Sequence, residues 1–117
     1  MIEIRAGADL VLRTWTTNIE QIATLQVAAI RRFQRGCGFP ATFVGFDNGL
    51  DRQPAGHRTV WFPPSVSMVF DYGTDYEPVQ IEESRVVRLL AEMDASELGV
   101  IVVNAQVPAA FTVEPSR

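Results

Sequence analysis

Between His57 and Gly73 the chain reads HRTVWFPPSVSMVFDYG, and no other stretch constrains the fold as tightly. Arg58 to Phe62 predicts one short strand, Pro63-Pro64 breaks it, and a second strand follows in alternation. Val66, Met68, Phe70 and Tyr72 fall on one face of that second strand; Ser65, Ser67 and Asp71 fall on the other, with Val69 the exception. A period of two means a strand with one face on an apolar core. The segment specifies sheet structure and carries no chemistry of its own.

Around it the other elements fall into place. Ile2–Arg5 and Asp9–Arg13 predict a hairpin turning at Ala6-Gly7-Ala8, with Ile2, Ile4, Leu10 and Leu12 inward. Thr17-Asn18-Ile19-Glu20 matches a Thr-x-x-Glu capping box, and a helix follows to about Arg35. Ile19, Ile22, Ala23, Ala29, Ile30 and Phe33 make its apolar stripe, widened by Leu25 and Val27. Arg31, Arg32 and Arg35 complement the dipole of the last turn, and Gly36 stops the helix. Cys37 to Pro40 reads as a turn and Ala41–Phe46 as a strand. The polar run Asp47–Gly56 reads as an extended hairpin loop. A second helix spans about Glu82–Met93, with Val86, Leu89, Leu90 and Met93 as its buried stripe. Val100–Val103 reads as a well-covered strand, and Ala109–Val113 as a weak edge segment between prolines. The order is ββαβββαβ. The economical arrangement is α+β: a mainly antiparallel sheet of five or six strands with both helices on one face.

Length and composition bound the function. At 117 residues the chain makes one domain, with a polar loop at 47–57 and a loosely held tail from about 108. Apolar residues make up 47% and charged residues 21%, a globular balance rather than a disordered one. No apolar run approaches the ~18 residues of a membrane span. MIEIRAGADL lacks the basic and apolar regions of a signal peptide, so the expected location is cytoplasmic, or the virion if the gene belongs to a phage. Cys37 is the lone cysteine, which excludes an intrachain disulfide and a Cys-rich metal site. All ten basic residues are arginine. Together with abundant Ala, Val and Gly, this fits a GC-rich coding genome such as that of actinobacteria or their phages. Without lysine there is no Schiff-base chemistry, no P-loop and no lysine adenylation. A net charge of −4 works against general affinity for nucleic acid.

Several pieces carry a family resemblance. The Arg-rich helix end runs into a Gly-Phe turn (Arg31, Arg32, Phe33, then Gly38-Phe39), and Arg58-Thr59-Val60-Trp61-Phe62-Pro63-Pro64-Ser65-Val66 follows. Phe70-Asp71-Tyr72-Gly73, Pro78 before the second helix and Ser96-x-x-Gly99 before a strand complete the set. In these the chain resembles a family of small uncharacterised actinobacterial proteins, often called "ATP-dependent DNA ligase" although they lack ligase motifs. It departs in a longer Asp47–Gly56 loop and in Arg85-Val86 where the family tends to place a tryptophan. The resemblance implies a fold and no mechanism; ligase chemistry needs the lysine that is missing.

The candidate sites each have a plain alternative. Cys37 and His57, the sole histidine, make a nucleophilic pair only if they meet, with Asp47 or Asp51 to orient the imidazole; otherwise they are a turn cysteine and a loop histidine. Asp71, Asp75 and Glu77 offer oxygens to a hard cation, or form a solvated acidic loop. Arg31, Arg32 and Arg35, joined by Arg52 and Arg58, suit a phosphate clamp, or simply balance the helix dipole and nearby acids. Trp61, Phe62, Phe70, Tyr72 and Phe43 form an aromatic platform or a core. Neither GxSxG, GxGxxG nor HExxH occurs. The expectation is therefore a non-catalytic association module without cofactor or metal, acting on itself or a protein partner, in one version as a subunit of a large assembly such as a phage particle. Trp61, Phe62, Tyr72, Arg31, Arg32 and Arg35 are its expected interaction residues. The alternative is a nucleic-acid accessory protein using Arg31, Arg32 and Arg35.

Overall fold

The computed structural model describes residues 1–47, 56–74 and 78–105. Among them the elements run β1 (Ile2–Ala6), β2 (Asp9–Thr14), α1 (Ile19–Gln34), β3 (Phe39–Val44), β4 (His57–Phe62), β5 (Met68–Asp71), α2 (Glu83–Ala95) and β6 (Val100–Val103). This is the α+β order read from the sequence. The single sheet of five or six strands is not what forms. The strands make two sheets of three, ordered β2–β1–β5 and β4–β3–β6. Every pairing is antiparallel except β3 with β6, which the α2 crossover makes parallel. The sheets meet at one bridge, where the Arg13 amide donates to the Asp47 carbonyl at 2.8 Å. Gly45, at φ +78°, turns the chain out of β3 just before that bridge, so pairing with β2 stops after one residue.

One core serves both sheets and both helices: Ile2, Ile4 and Leu12 from the first sheet, Ile22 and Leu25 from α1, Val86 and Met93 from α2, and Phe39 and Phe62 from the second sheet. The aromatic rings run in series, Phe33–Phe39–Phe62–Phe43–Phe46, with centroids 5.2–6.3 Å apart. Offset and edge-on rings at this spacing add about 0.5–1.5 kcal/mol per pair beyond burial. In β5 the alternation holds as read: Met68 and Phe70 turn inward while Val69 and Asp71 are exposed. In β2 it is broken. The register slips between Ile4 and Arg5, so Val11 and Leu12 are both buried and Leu10 is only half so.

The helices differ from the sequence reading at their ends and faces. A 3-10 turn, Thr16–Asn18, leads into α1, whose N-cap is Asn18 with no side-chain cap bond. The Thr17–Glu20 box does not form: Thr17 lies inside the 3-10 turn, and Glu20 pairs with Arg85 of α2 at 2.5 Å. The buried face of α1 is Ile22, Leu25, Ala28 and Ala29, and Ile30 is exposed. In α2 the expected stripe stands, with Val86 and Met93 buried and Leu89 and Leu90 packed on the core. Ion pairs tie the helices side by side: Arg31 to Glu83 at 2.6 and 2.7 Å, and Arg32 to Asp94 at 2.5 and 2.9 Å.

Candidate association surface

The register of the second sheet decides which side chains are presented. Phe39 pairs with Phe62, Ala41 with Val60 and Val100, and Phe43 with Arg58 and Val102; these rows face the core. The intervening rows, Pro40–Trp61, Thr42–Thr59–Ile101 and Val44–His57–Val103, face away from it. At the centre of this outer face Thr42 is buried. Its hydroxyl donates to the Leu98 carbonyl at 2.9 Å and meets the Thr59 hydroxyl at 2.8 Å. Around these polar atoms stand Trp61, 62% exposed, Ile101, 51%, and Val103, 45%, with exposed Leu98 on the turn that crosses the sheet. Trp61, Leu98, Ile101 and Val103 thus leave apolar surface uncovered on this side of the sheet.

Of the expected interaction residues, only Trp61 belongs to this face. Phe62 is fully buried between Phe39 and Phe43, so its place is the core, because adjacent strand residues point to opposite sides. Tyr72 lies beyond β5 and is anchored to α1, its hydroxyl donating to Gln26 Oε1 at 2.6 Å; burial pushes that hydroxyl up to about 12. Arg31 and Arg32 are forked onto Glu83 and Asp94. Those guanidiniums, first through hydrogen bonds, hold both carboxyls below their ordinary range. Arg32 also donates from Nε to the Gly38 carbonyl at 3.0 Å. Arg35 is exposed past the end of α1, and Arg58 turns inward to the Val11 carbonyl at 3.0 Å. Arg31, Arg32 and Arg58 thus take separate partners, and Arg35 adds its charge to the Asp94 that Arg32 already holds.

The other constellations do not assemble either. Cys37 precedes β3 near Phe62, whereas His57 opens β4 opposite Val44. Five strand steps separate the two ends of β4, roughly 17 Å, so thiol and imidazole are out of hydrogen-bond reach. Asp71 accepts the Gly73 amide at 2.8 Å; Asp51, Arg52, Asp75 and Glu77 lie outside the described residues. Among the described residues no three His, Cys, Asp or Glu side chains group as metal ligands, and no helix is long and apolar enough to cross a membrane.

Ile101 and Val103 were missed as surface residues because a run of four β-branched residues looks the same whether one or both faces are covered. The expectation of a well-covered strand is corrected: β6 is the last strand of its sheet, and its side chains alternate buried and exposed. Gly99 before it and Asn104 after it were the available hints that the strand is short and terminal. Comparison with family models, curated proteins and solved structures finds no match for this chain.

Proposed function

We propose that this chain is a non-catalytic association module acting through self-assembly or a protein partner, with the outer face of the β4–β3–β6 sheet as its docking surface. The observation that carries the reading is the exposure of Trp61, Ile101 and Val103 on one face around a satisfied pair of threonines. Tryptophan is enriched at the energetic centres of protein interfaces, and depletion of charge is typical of their cores. His57 is the one ionisable side chain in the three outward rows, and the charges of Arg32, Asp94 and Glu97 form a rim beside Trp61. The nucleic-acid alternative has less behind it, since Arg31 and Arg32 already hold acidic partners.

The test is light scattering after size-exclusion at two concentrations, with crosslinking or pulldown for a partner. The double variant Trp61→Glu/Ile101→Glu keeps the fold by circular dichroism and loses the assembly or partner at least about tenfold, since each charge must be desolvated. A chain that is monomeric at both concentrations and has no partner sensitive to this variant overturns the reading.

A further inference from the structure

β6 carries two surfaces: its outward side chains, described above, and its free edge. Two hydrogen bonds fix which backbone groups point along that edge. The Asn104 amide donates to the Val44 carbonyl of β3 at 3.0 Å, and the Val103 carbonyl accepts from Gln21 Nε2 on the opposite side at 2.8 Å. Since N–H and C=O of one strand residue point the same way and alternate along the strand, Val100 and Val102 address β3 while Ile101 and Val103 address the free edge. The Ile101 N–H, the Ile101 C=O and the Val103 N–H therefore have no partner among the described residues.

The Ile101 groups open onto a groove of about 240 Å³, lined on the strand side by Val100, Ile101 and Val102, with Val103 just past its end. Its far wall is α2, through Arg85, Arg88, Leu89 and Glu92, and its floor is Gln21 and Thr24 of α1. Unpaired strand edges recruit another extended chain, through main-chain hydrogen bonds for affinity and flanking side chains for selectivity. Three charged side chains line the α2 wall, and Glu92 confines a partner's acidic group to the Arg85–Arg88 end. Arg85 is held by Glu20 at 2.5 Å, whereas Arg88 is exposed and has no ion-pair or hydrogen-bond partner among the described residues. A carboxylate placed opposite Arg88 completes it with a charge-assisted pair. A second copy fits less well, because its β6 would arrive with its own α1 and α2 packed alongside.

We propose that the groove between β6 and α2 binds an extended segment of a partner protein as an added strand, pairing with Ile101 and Val103 and presenting an acidic side chain to Arg88. This rests on the association reading and specifies the partner's chemistry.

The probe is a display library of octapeptides alternating valine, isoleucine or threonine with random residues, each with one glutamate or aspartate. Enriched peptides are titrated into the isotope-labelled full chain and amide exchange is followed. Binding is expected to slow exchange at Ile101 and Val103 by about tenfold or more, while Val100 and Val102, already paired with β3, change little. Arg88→Glu weakens binding by about tenfold or more, Arg35→Glu does not, and Trp61→Glu leaves peptide binding intact. No enrichment, or binding that leaves Ile101 and Val103 unchanged, overturns the proposal. So does equal binding by Arg88→Glu. Protection of those two amides in the free chain overturns it as well: at all dilutions it means the chain covers its own edge, and only at high concentration it means a second copy does. Loss of the assembly in Trp61→Glu/Ile101→Glu alongside any of these negatives leaves the association reading standing and removes the groove alone.

Discussion

Gly99 sits where the turn from α2 crosses β3, at φ +63°, and a Cβ built there would collide with the Pro40 carbonyl oxygen. Gly7, in the β1–β2 turn, has nearly the same φ of +60° but nothing within 4 Å of a Cβ. The pair separates two costs that usually come together. Gly7→Ala bears only the left-handed backbone cost, about 1–2 kcal/mol. Gly99→Ala bears that and a collision with strand backbone that cannot rotate away, so about 3–5 kcal/mol is expected from urea unfolding. Equal losses in the two variants would mean that the turn moves aside freely. Neighbouring residues show what the sequence disclosed here and what it withheld. Alternation fixes that Trp61 and Phe62 face opposite ways, but which one faces the core depends on the partner strand. Phe39 and Phe43, on β3, settle it by packing against Phe62, one ring tilted and the other edge-on.

The two helices are held together by charge around a modest apolar seam. Glu83 and Asp94 sit below the ordinary carboxylate range because Arg31 and Arg32 hydrogen-bond to their charged forms. A carboxylate whose folded value is depressed adds stability above its unfolded value, and that contribution fades as pH falls through the folded value. The melting temperature of the chain is therefore expected to decline below about pH 4, and more gently in Glu83→Gln/Asp94→Asn. Salt should narrow the difference between the two proteins, because both carboxylates are exposed. Parallel pH curves would show that the pairs contribute nothing. The helix stripes were legible in the sequence because periodicity is local. Two things were not. Glu20 looks like a capping-box residue until Arg85, sixty-five positions away, claims it. The arginines look like a phosphate clamp until α2 is folded beside them. Long-range acids decided both, and no spacing rule reports them.

Where the two three-stranded sheets meet, a small buried polar clasp sits beside the core they share. The Asn18 amide nitrogen donates to Thr14 Oγ1 at 2.8 Å and to Asn104 Oδ1 at 2.9 Å, while its oxygen accepts from Gln21 Nε2 at 2.5 Å and from the Ala105 amide at 2.9 Å. Asn104 in turn donates to the Gly45 carbonyl at 3.0 Å. The end of β2, the start of α1, the exit from β3 and the end of β6 thus converge on two asparagines. In sequence Asn18 reads only as a helix-start residue, since its partner lies eighty-six positions on. Nothing local marks it as the junction of the sheets, just as nothing local shows that pairing with β2 ends at one bridge past Gly45. Asn18→Ala removes four hydrogen bonds and takes a partner from the buried Thr14 hydroxyl, while the amide of exposed Ala105 can turn to water. Each unsatisfied buried group costs about 1–3 kcal/mol, so a loss of about 2–5 kcal/mol is expected. Its distribution matters more than its size. If the clasp couples the sheets, amide exchange in Asn18→Ala should accelerate most at β2, β6 and the Gly45–Asp47 exit, and less at the β1–β5 pairing. Uniform acceleration would instead mean that the apolar core alone makes the chain cooperative, with the asparagines merely filling a polar gap. The result also bears on association. A β6 strand loosened from Asn18 keeps its exposed side chains but loses its fixed edge, so partner binding should weaken in this variant even where the fold survives.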